Sequence, residues 1–424
     1  MVSDNPVRSR PYSVPHALKD IVKSEIENML RMGIIEQIES PYASPIVIVK
    51  KSDGTNRFCI DYRKLNRITR FDAEPIGNPD EIFARLSRGK YFSKLDLSKG
   101  YWQIPVKKCS QLATAFISSE GLYAFKFMPF GLVNAGATFC RMMRILLRGM
   151  QNVDNFVDDI LEHTETWETH LDILRELFNR LREAGLTVKP SKCILGYFQL
   201  PFLGHTVGNG CISPDPGKIK SIKECSRPNS KKQIRSFLGL VGYYRKFIPN
   251  FSTIAAVLTD MTKKGAPSKV TWSPAAEVAF QSLIGSLCNR PILCLPDFDL
   301  DFILRTDASD FGLGAVLMQE HDGLKFPVCY ASRKLLGREM GYSVIEKECL
   351  SIIWAIQKFA SYLYGREFLL ETDHQPLVYL DRAKIANARL MRWALALQPY
   401  RFRIIAIKGS ENVGADFLSR HPSE

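Results

Sequence analysis

The chain has 424 residues, more than one hydrophobic core supports, so we expect two to four domains. Its 46% hydrophobic and 24% charged residues argue against large disordered tracts, and no run of about 18 apolar residues is present to span a membrane. The net charge of +13 favours a polyanionic partner, and residues 211–265 concentrate it with eight Lys and three Arg against three acids.

The first half of the chain alternates between helical and strand-like patterns. Apolar spacing predicts a helix over residues 16–32 that ends at Gly33. The further predicted elements, in chain order, are strands at 46–50 and 57–60 joined by a turn at 52–54, a short helix at 81–86, mixed strand and turn at 95–106, a helix at 135–147, a hairpin at 153–161, and a helix at 169–184.

Two segments rich in Gly and Pro, 208–217 and 265–268, are typical of domain seams. The patterns between and after them predict helices at 234–247 and 274–287 and a strand at 302–306. The ten Cys show neither CxxC pairs nor zinc-type spacing, so we expect free thiols in a reducing compartment.

Adjacent carboxylates at Asp158 and Asp159 lie between apolar residues in the predicted hairpin. They repel each other and are costly to bury, so a divalent cation is one way to stabilise them, whereas a solvated Asp-Asp turn is the alternative. Asp96 lies in another strand-like apolar run. If the three carboxylates meet, they match a two-metal site for in-line displacement at phosphorus, with Mg²⁺ as the suitable ion.

A set of ordered motifs covers nearly the whole chain, from about residue 11 to 422. They are segments 44–51, 57–66, 95–97, 128–132, 156–159, 202–205, 235–240, 306–309, 346–348, 372–374 and 415–420. In this order they resemble the reverse transcriptase and ribonuclease H portion of a Ty3/gypsy-type LTR retrotransposon Pol polyprotein.

The resemblance implies roles around the first set of acids. Asp96, Asp158 and Asp159 are expected to be catalytic and to hold the polymerase metals. Lys50 and Arg57 are expected to contact the incoming triphosphate, although both are also read as solvated cations. Tyr101 resembles an aromatic gate against the ribose 2′-hydroxyl, with ordinary core packing as its alternative. The remaining expected substrate contacts are Phe130 and Gly131 near the nucleotide and template, and Phe202, Leu203 and Gly204 as a primer grip or simply a packed strand end.

Asp307, Glu348, Asp373 and Asp416 are implied as the catalytic, metal-holding acids of the ribonuclease H. Each alone is also typical of a cap or a surface acid. Asn387, Arg389 and Arg392 are expected to contact the duplex or to form an inert basic face.

The sequence departs from the family at four places. Gly136 stands in place of a common Pro, Cys140 in place of Gln, and Phe156 in place of Tyr. Related ribonucleases H often carry a mobile His shortly before the last Asp, but the corresponding position near Ile407 has no His nearby, which places the rate of the ribonuclease H in question more than its existence.

The resemblance implies an α+β fold, a right-hand polymerase of fingers, palm and thumb followed by a ribonuclease H-like α/β domain with a mixed sheet. The expected domains are fingers and palm at 1–210, thumb at 211–265, a connecting segment at 266–295 and ribonuclease H at 296–424. The implied enzyme uses two Mg²⁺ ions, or Mn²⁺, at each site.

Its implied partners are an RNA template, a DNA primer, an RNA–DNA hybrid and dNTPs, without a membrane, as a monomer or homodimer. The implied location is cytoplasmic, in a virus-like particle, or nuclear, and we expect the chain to be a processed piece of a polyprotein. Two alternatives stay open: a non-catalytic nucleic-acid-binding relic, and a polymerase whose ribonuclease H is silent.

Overall fold

The computed structural model describes residues 5–50, 56–267, 270–289, 292–373 and 388–407. The chain divides into two compact units, one formed by residues 1–82 and 91–197 and the other by residues 83–90 and 198–424. In the described part, no helix combines the length and the apolar character that a bilayer crossing requires.

Among the described residues, the first unit contains nine strands and most of the helices that precede residue 198. Its strands are β1 Ile35–Gln37, β2 Ser44–Lys50, β3 Asn56–Ile60, β4 Tyr91–Asp96, β5 Phe116–Ser118, β6 Gly121–Phe125, β7 Val153–Phe156, β8 Asp159–Thr164 and β9 Ile194–Tyr197. Its helices are α1 Lys19–Arg31, α2 Arg63–Ile68, α3 Pro79–Arg85 (which continues into the second unit), α4 Lys108–Gln111, α5 Ala135–Leu146 and α6 Trp167–Glu183.

These strands form two sheets. One has the order β1-β6-β5-β2-β3 and packs on α1 through a core that includes Ile26, Met29 and Phe116. The other has the order β7-β8-β4-β9, and its core joins Leu95 and Ile160 to apolar residues of α5 and α6. The second sheet holds the predicted acidic hairpin, which confirms the hairpin predicted at 153–161.

The second unit contains the remaining elements. Its strands are β10 Gln199–Phe202, β11 His205–Gly208, β12 Cys211–Pro214, β13 Leu293–Cys294, β14 Phe302–Ala308, β15 Gly312–His321, β16 Leu324–Lys334, β17 Glu367–Thr372 and β18 Arg401–Ala406. Its helices are α7 Pro216–Lys223, α8 Lys231–Tyr243, α9 Phe251–Asp260, α10 Pro274–Cys288, α11 Val344–Lys358, α12 Ala360–Leu363 and α13 Ala388–Leu397.

The segment 208–217, predicted as a seam, contains the end of β11, a turn, β12 and the start of α7. Strands β11 and β12 pair across the turn at Asn209 and Gly210, and the sheet has the order β10-β11-β12-β13. Both turn residues have positive φ, 54° and 67°. Gly and Pro therefore mark a tight hairpin here, because such turns and interdomain linkers share the same composition.

The last sheet has the order β16-β15-β14-β17-β18 and is mixed, since β14 is antiparallel to β15 and parallel to β17. Helix α11 packs on it through a core that includes Phe302, Leu304, Ile352, Ile356 and Leu370. Ser343 and Glu346 form a capping box that begins this helix, as the local sequence favours. Helix α11 thus lies against β14, the central strand of the mixed sheet, and against its antiparallel neighbour β15.

Candidate active sites

Asp96 and Asp159 lie directly opposite each other in neighbouring strands. Asp96 is the last residue of β4, Asp159 is the first residue of β8, and the two are paired in the antiparallel register. Asp158 occupies the two-residue turn between β7 and β8, since Phe156 pairs with Asp159. The fold therefore brings together three carboxylates that lie far apart in the chain.

The turn that carries Asp158 is strained. Val157 has a φ of 54°, a left-handed conformation that is unfavourable for a β-branched side chain. Such outliers persist only where the surrounding structure holds them, and they concentrate at functional sites. The turn thus holds Val157 in an unfavourable backbone conformation while it places Asp158 beside Asp159.

The charges of these acids are coupled. Burial, followed by the neighbouring carboxylates of Asp159 and Asp96, raises the pKa of Asp158 above its ordinary value. Lys94 Nζ lies 3.0 Å from Asp159 Oδ1, and Lys192 Nζ lies 3.0 Å from Asp96 Oδ2. The two lysines therefore partly neutralise two of the three carboxylates.

The donor set fits a divalent cation, since all three groups are hard oxygen ligands and the negative charge of Asp158 is disfavoured without further positive charge. Across the described ranges, however, no three His, Cys, Asp or Glu side chains are already arranged to hold one metal ion. At the first site, Lys94 and Lys192 each contact one oxygen of one carboxylate, Asp159 Oδ1 and Asp96 Oδ2 respectively.

Tyr101 follows β4 in the 3₁₀ turn Gly100–Gln103. Its ring contacts Phe130 edge-on at 4.9 Å and Phe139 at 5.3 Å, measured between ring centroids. Burial raises the pKa of its hydroxyl, and the nearby charge of Asp158 adds to the rise. Tyr101 therefore packs in the core and also stands close to the acidic turn, so both of its predicted roles remain compatible.

Arg57 and Phe130 form a cation–π contact, with the guanidinium carbon 5.2 Å from the ring centroid. Lys50, exposed at the end of β2, pairs in register with Asn56, next to Arg57. Gly131 has a φ of 94°, which favours glycine. The expected triphosphate-binding cations thus lie on one hairpin, and Arg57 reaches the loop that contains Phe130.

Asn66 was not predicted as a site residue, yet it orders this loop. Its side-chain amide donates to the carbonyl of Gly131 at 2.9 Å and accepts from the backbone N–H of Val133 at 2.9 Å. The only sequence signal was its place at the end of the 57–66 motif. Lys94 was not predicted as a site residue either, although it lies two residues before Asp96 and therefore shares its face of the strand. No local sequence pattern indicated Lys192.

Phe202, Leu203 and Gly204 form the tight turn between β10 and β11. Phe202 is fully buried, while Leu203 and Gly204 have positive φ values of 47° and 71°. Tyr243 donates to the carbonyl of Leu203 at 2.6 Å, and Tyr244 donates to that of Gly204 at 2.8 Å. Helix α8 therefore fixes this turn through two neighbouring tyrosines that sequence reasoning did not assign to the site.

Asp307 and Asp373 of the second acidic set lie at one edge of the mixed sheet. Asp307 near the end of β14 is buried, and Asp373 directly follows β17. Arg305 pairs with Glu371 across these parallel strands, so the residues two positions later, Asp307 and Asp373, leave the sheet at the same edge.

Glu348 is also buried, in the first turns of α11, whose apolar face packs on β14 and β17. Asp416 and Asn387 lie outside the described residues. Arg389 donates to Glu346 at 2.9 Å and stacks over the ring of Tyr342 at 4.1 Å, so it is held against the start of α11. Arg392 lies on the same helix, α13, three residues later.

Two protein families match the chain in succession. Residues 48–207 match the family described as reverse transcriptase (RNA-dependent DNA polymerase), and residues 297–400 match the RNase H-like domain found in reverse transcriptase. The first match contains all three acids of the first site, and the second contains Asp307, Glu348 and Asp373.

Curated relatives are polyproteins of transposons. The retrovirus-related Pol polyprotein from transposon 297 of Drosophila melanogaster is 42% identical over 98% of this chain, and that from transposon gypsy of the same organism is 36% identical over 99%. The Tf2-3 polyprotein of Schizosaccharomyces pombe is 32% identical over 97%. The chain spans 40%, 42% and 31% of the length of these relatives, respectively.

Solved structures of a foamy viral protease-reverse transcriptase share the fold. One, in complex with double-stranded DNA, has a TM-score of 0.86 at 26% identity and covers 96% of this chain and 72% of that one. Another, in complex with an RNA/DNA hybrid, has a TM-score of 0.81 at 25% identity and covers 99% and 57%. The chain thus contains a reverse transcriptase domain followed by an RNase H-like domain, and its curated homologues are Ty3/gypsy-type transposon Pol polyproteins.

Proposed function

We propose that this chain synthesises DNA on RNA and DNA templates and cleaves the RNA strand of the resulting hybrid, in the service of retrotransposon replication. The observation that carries the first activity is the register that sets Asp96 opposite Asp159, with Asp158 in the strained turn beside them. The similar foamy viral structures hold double-stranded DNA or an RNA/DNA hybrid, which supports nucleic-acid partners here.

Reverse transcriptases and ribonucleases H use divalent metal ions, and we propose two Mg²⁺ ions, replaceable by Mn²⁺, at each site. Asp96, Asp158 and Asp159 would hold them in the polymerase. When bound, the ions supply Lewis acidity for the 3′-hydroxyl and the triphosphate. Lys50 and Arg57 bind the triphosphate and stabilise charge on the departing pyrophosphate.

Other residues position the substrates. The ring of Tyr101, braced by Phe139, excludes a ribose 2′-hydroxyl, so the site takes deoxynucleotides. Phe130 and Gly131 face the nucleotide and template, and the Phe202–Gly204 turn holds the primer end. In the second domain, Asp307, Glu348, Asp373 and Asp416 would hold the ions for hydrolysis by water, while Asn387, Arg389 and Arg392 contact the hybrid backbone.

We propose the domains as fingers and palm at 1–210, thumb at 211–265, a connecting segment at 266–295 and ribonuclease H at 296–424. The thumb's excess of basic residues suits sequence-independent contacts with phosphates. The protein would act as a monomer or homodimer in a cytoplasmic virus-like particle or in the nucleus.

Primer extension on poly(rA)/oligo(dT) with Mg²⁺ or Mn²⁺ tests the polymerase. We expect wild type to incorporate dTTP and Asp158→Asn to lose this activity. Asp172→Asn, which alters an exposed carboxylate on α6, is the matched control and should extend normally. Incorporation that survives in Asp158→Asn would refute the assignment of this site.

Cleavage of labelled RNA in a hybrid tests the second site. Wild type should shorten the RNA, Asp307→Asn should not, and Asp301→Asn, an exposed acid just before β14, should match wild type. Extension without shortening in wild type would favour the silent ribonuclease H. A protein that binds hybrid but does neither would be the non-catalytic relic.

A further inference from the structure

Cys211 and Cys294 face each other across two antiparallel strands, β12 and β13. The backbone N–H of Leu295 donates to the carbonyl of Gly210 at 2.8 Å, so the adjacent pair, Gly210 and Leu295, is a hydrogen-bonded one. Hydrogen-bonded and non-hydrogen-bonded pairs alternate along an antiparallel ladder. The two cysteines therefore form a non-hydrogen-bonded pair, in which the Cα atoms are about 4.5 Å apart and the side chains share one face.

This geometry suits a disulfide. Bridged cysteines have Cα atoms about 4.4–6.8 Å apart, and directly opposed side chains already point the same way. Both residues are free thiols of intermediate exposure. Burial raises the pKa of Cys294 to about 11, and the neighbouring Cys211 adds to that rise.

His321, the last residue of β15, lies beside the pair, with Nε2 3.4 Å from Cys294 Sγ. Two thiols and an imidazole are also soft-metal ligands. In the part of the chain that the structure describes, however, these three do not form a group that could hold a metal ion. A bond between the two sulfurs is the chemistry that the arrangement offers, and the imidazole is a proton acceptor for it.

We propose that Cys211 and Cys294 form a reversible redox site. A low-molecular-weight disulfide such as oxidised glutathione oxidises the two thiols to a bond between their sulfurs. Cys294 transfers its proton to His321, and its sulfur attacks the glutathione disulfide, which releases one glutathione thiolate that takes up that proton. The Cys211 sulfur then displaces the second glutathione, and its own proton leaves with that thiol. Two protein thiols are oxidised and two glutathione molecules are released, so atoms and electrons balance.

Closure of this bond would restrain a large part of the second unit. The chain from Cys211 to Cys294 contains α7–α10, and β12 lies in the sheet that carries the Leu203–Gly204 turn. A cross-link over a long loop stabilises mainly by restricting the unfolded chain. Since burial raises the pKa of both thiols and keeps the thiolate fraction small, we expect the exchange to be slow.

Peptide mapping tests the proposal on the intact chain, without any assay of nucleic-acid chemistry. The native protein is incubated with oxidised glutathione, its remaining thiols are blocked with N-ethylmaleimide, and digested peptides are identified by mass spectrometry. We expect a peptide pair joined through Cys211 and Cys294 as the main intramolecular disulfide, lost on treatment with dithiothreitol. Alkylation of both thiols while other cysteines become oxidised would overturn the proposal.

Variants provide two further measurements. Oxidation should raise the Tm of the wild type by several degrees and leave the Tm of Cys211→Ser and Cys294→Ser unchanged. An equal rise in either variant would contradict the assignment of the bond. His321→Gln should form the same disulfide more slowly, and an unchanged rate would remove His321 from the proposal.

Discussion

Glu162 is a fully buried carboxyl group in strand β8, three residues after Asp159. Burial raises its pKa to about 8, and neither of its oxygens accepts a hydrogen bond from the described residues. His170 Nδ1 lies 3.3 Å from Oε1, but burial lowers the pKa of His170 as well. The imidazole instead lies within hydrogen-bond distance of Ser93 at 2.7 Å and Thr164 at 3.0 Å, and burial favours the neutral forms of both Glu162 and His170.

The substitution Glu162→Gln keeps the size of this side chain and removes its ionisation. Between the ordinary value of 4.5 and about 8, the folded wild type retains a proton that the unfolded chain has released. The stability contributed by this proton is therefore fully present below pH 4.5 and is lost as the pH rises toward 8. At about 1.4 kcal/mol per pH unit, the free energy of unfolding of the wild type falls by about 3 kcal/mol relative to that of the variant between pH 5 and 7.5.

Urea unfolding followed by circular dichroism at pH 5, 6, 7 and 7.5 measures this difference. Glu165→Gln, which removes an exposed carboxylate from the same hairpin region, is the control and should follow wild type. The prediction fails if the free energy of unfolding of Glu162→Gln minus that of wild type stays constant or decreases as the pH rises. A decrease would mean that the folded protein favours the ionised carboxylate.

Three other substitutions have defined outcomes. Phe202→Ala should lower the free energy of unfolding by about 3–5 kcal/mol in urea titrations, because it leaves a cavity in a fully buried site. Arg305→Met leaves the buried Glu371 with only its 2.5 Å bond to Lys325, so unfolding should become easier by about 2–3 kcal/mol and circular dichroism should record a lower Tm. Tyr101→Ala should raise the incorporation of ribonucleotides relative to deoxynucleotides in primer extension, and an unchanged ratio would favour a purely structural role.

Elements governed by neighbouring residues were predictable. The helix predicted at 16–32 is observed as α1 after one 3₁₀ turn, and it ends before Gly33, which has a φ of 67°. The helix predicted at 274–287 agrees with α10 to within one residue. Helix periodicity, caps and the residues of tight turns act over a few positions, so they can be read from the chain directly.

Pairings between distant segments were not predictable in the same way. Strands β15 and β16 form the longest hairpin of the mixed sheet, yet no sequence pattern singled them out. The segment 208–217, whose composition is typical of a seam, contains the turn of the hairpin formed by β11 and β12, because composition does not reveal whether flanking residues pair. Register depends on which faces become buried together, and that is a property of the whole sheet.

The amino-acid sequence alone was sufficient to identify the family and the hairpin that carries Asp158 and Asp159, and it predicted seven catalytic acids. Only the tertiary structure set Asp96 opposite Asp159, brought Lys94 and Lys192 onto the carboxylates, and buried Glu162 beside His170. The physical reason is the range of the interactions: backbone preferences act between neighbours, whereas charge coupling and burial arise when remote segments pack together.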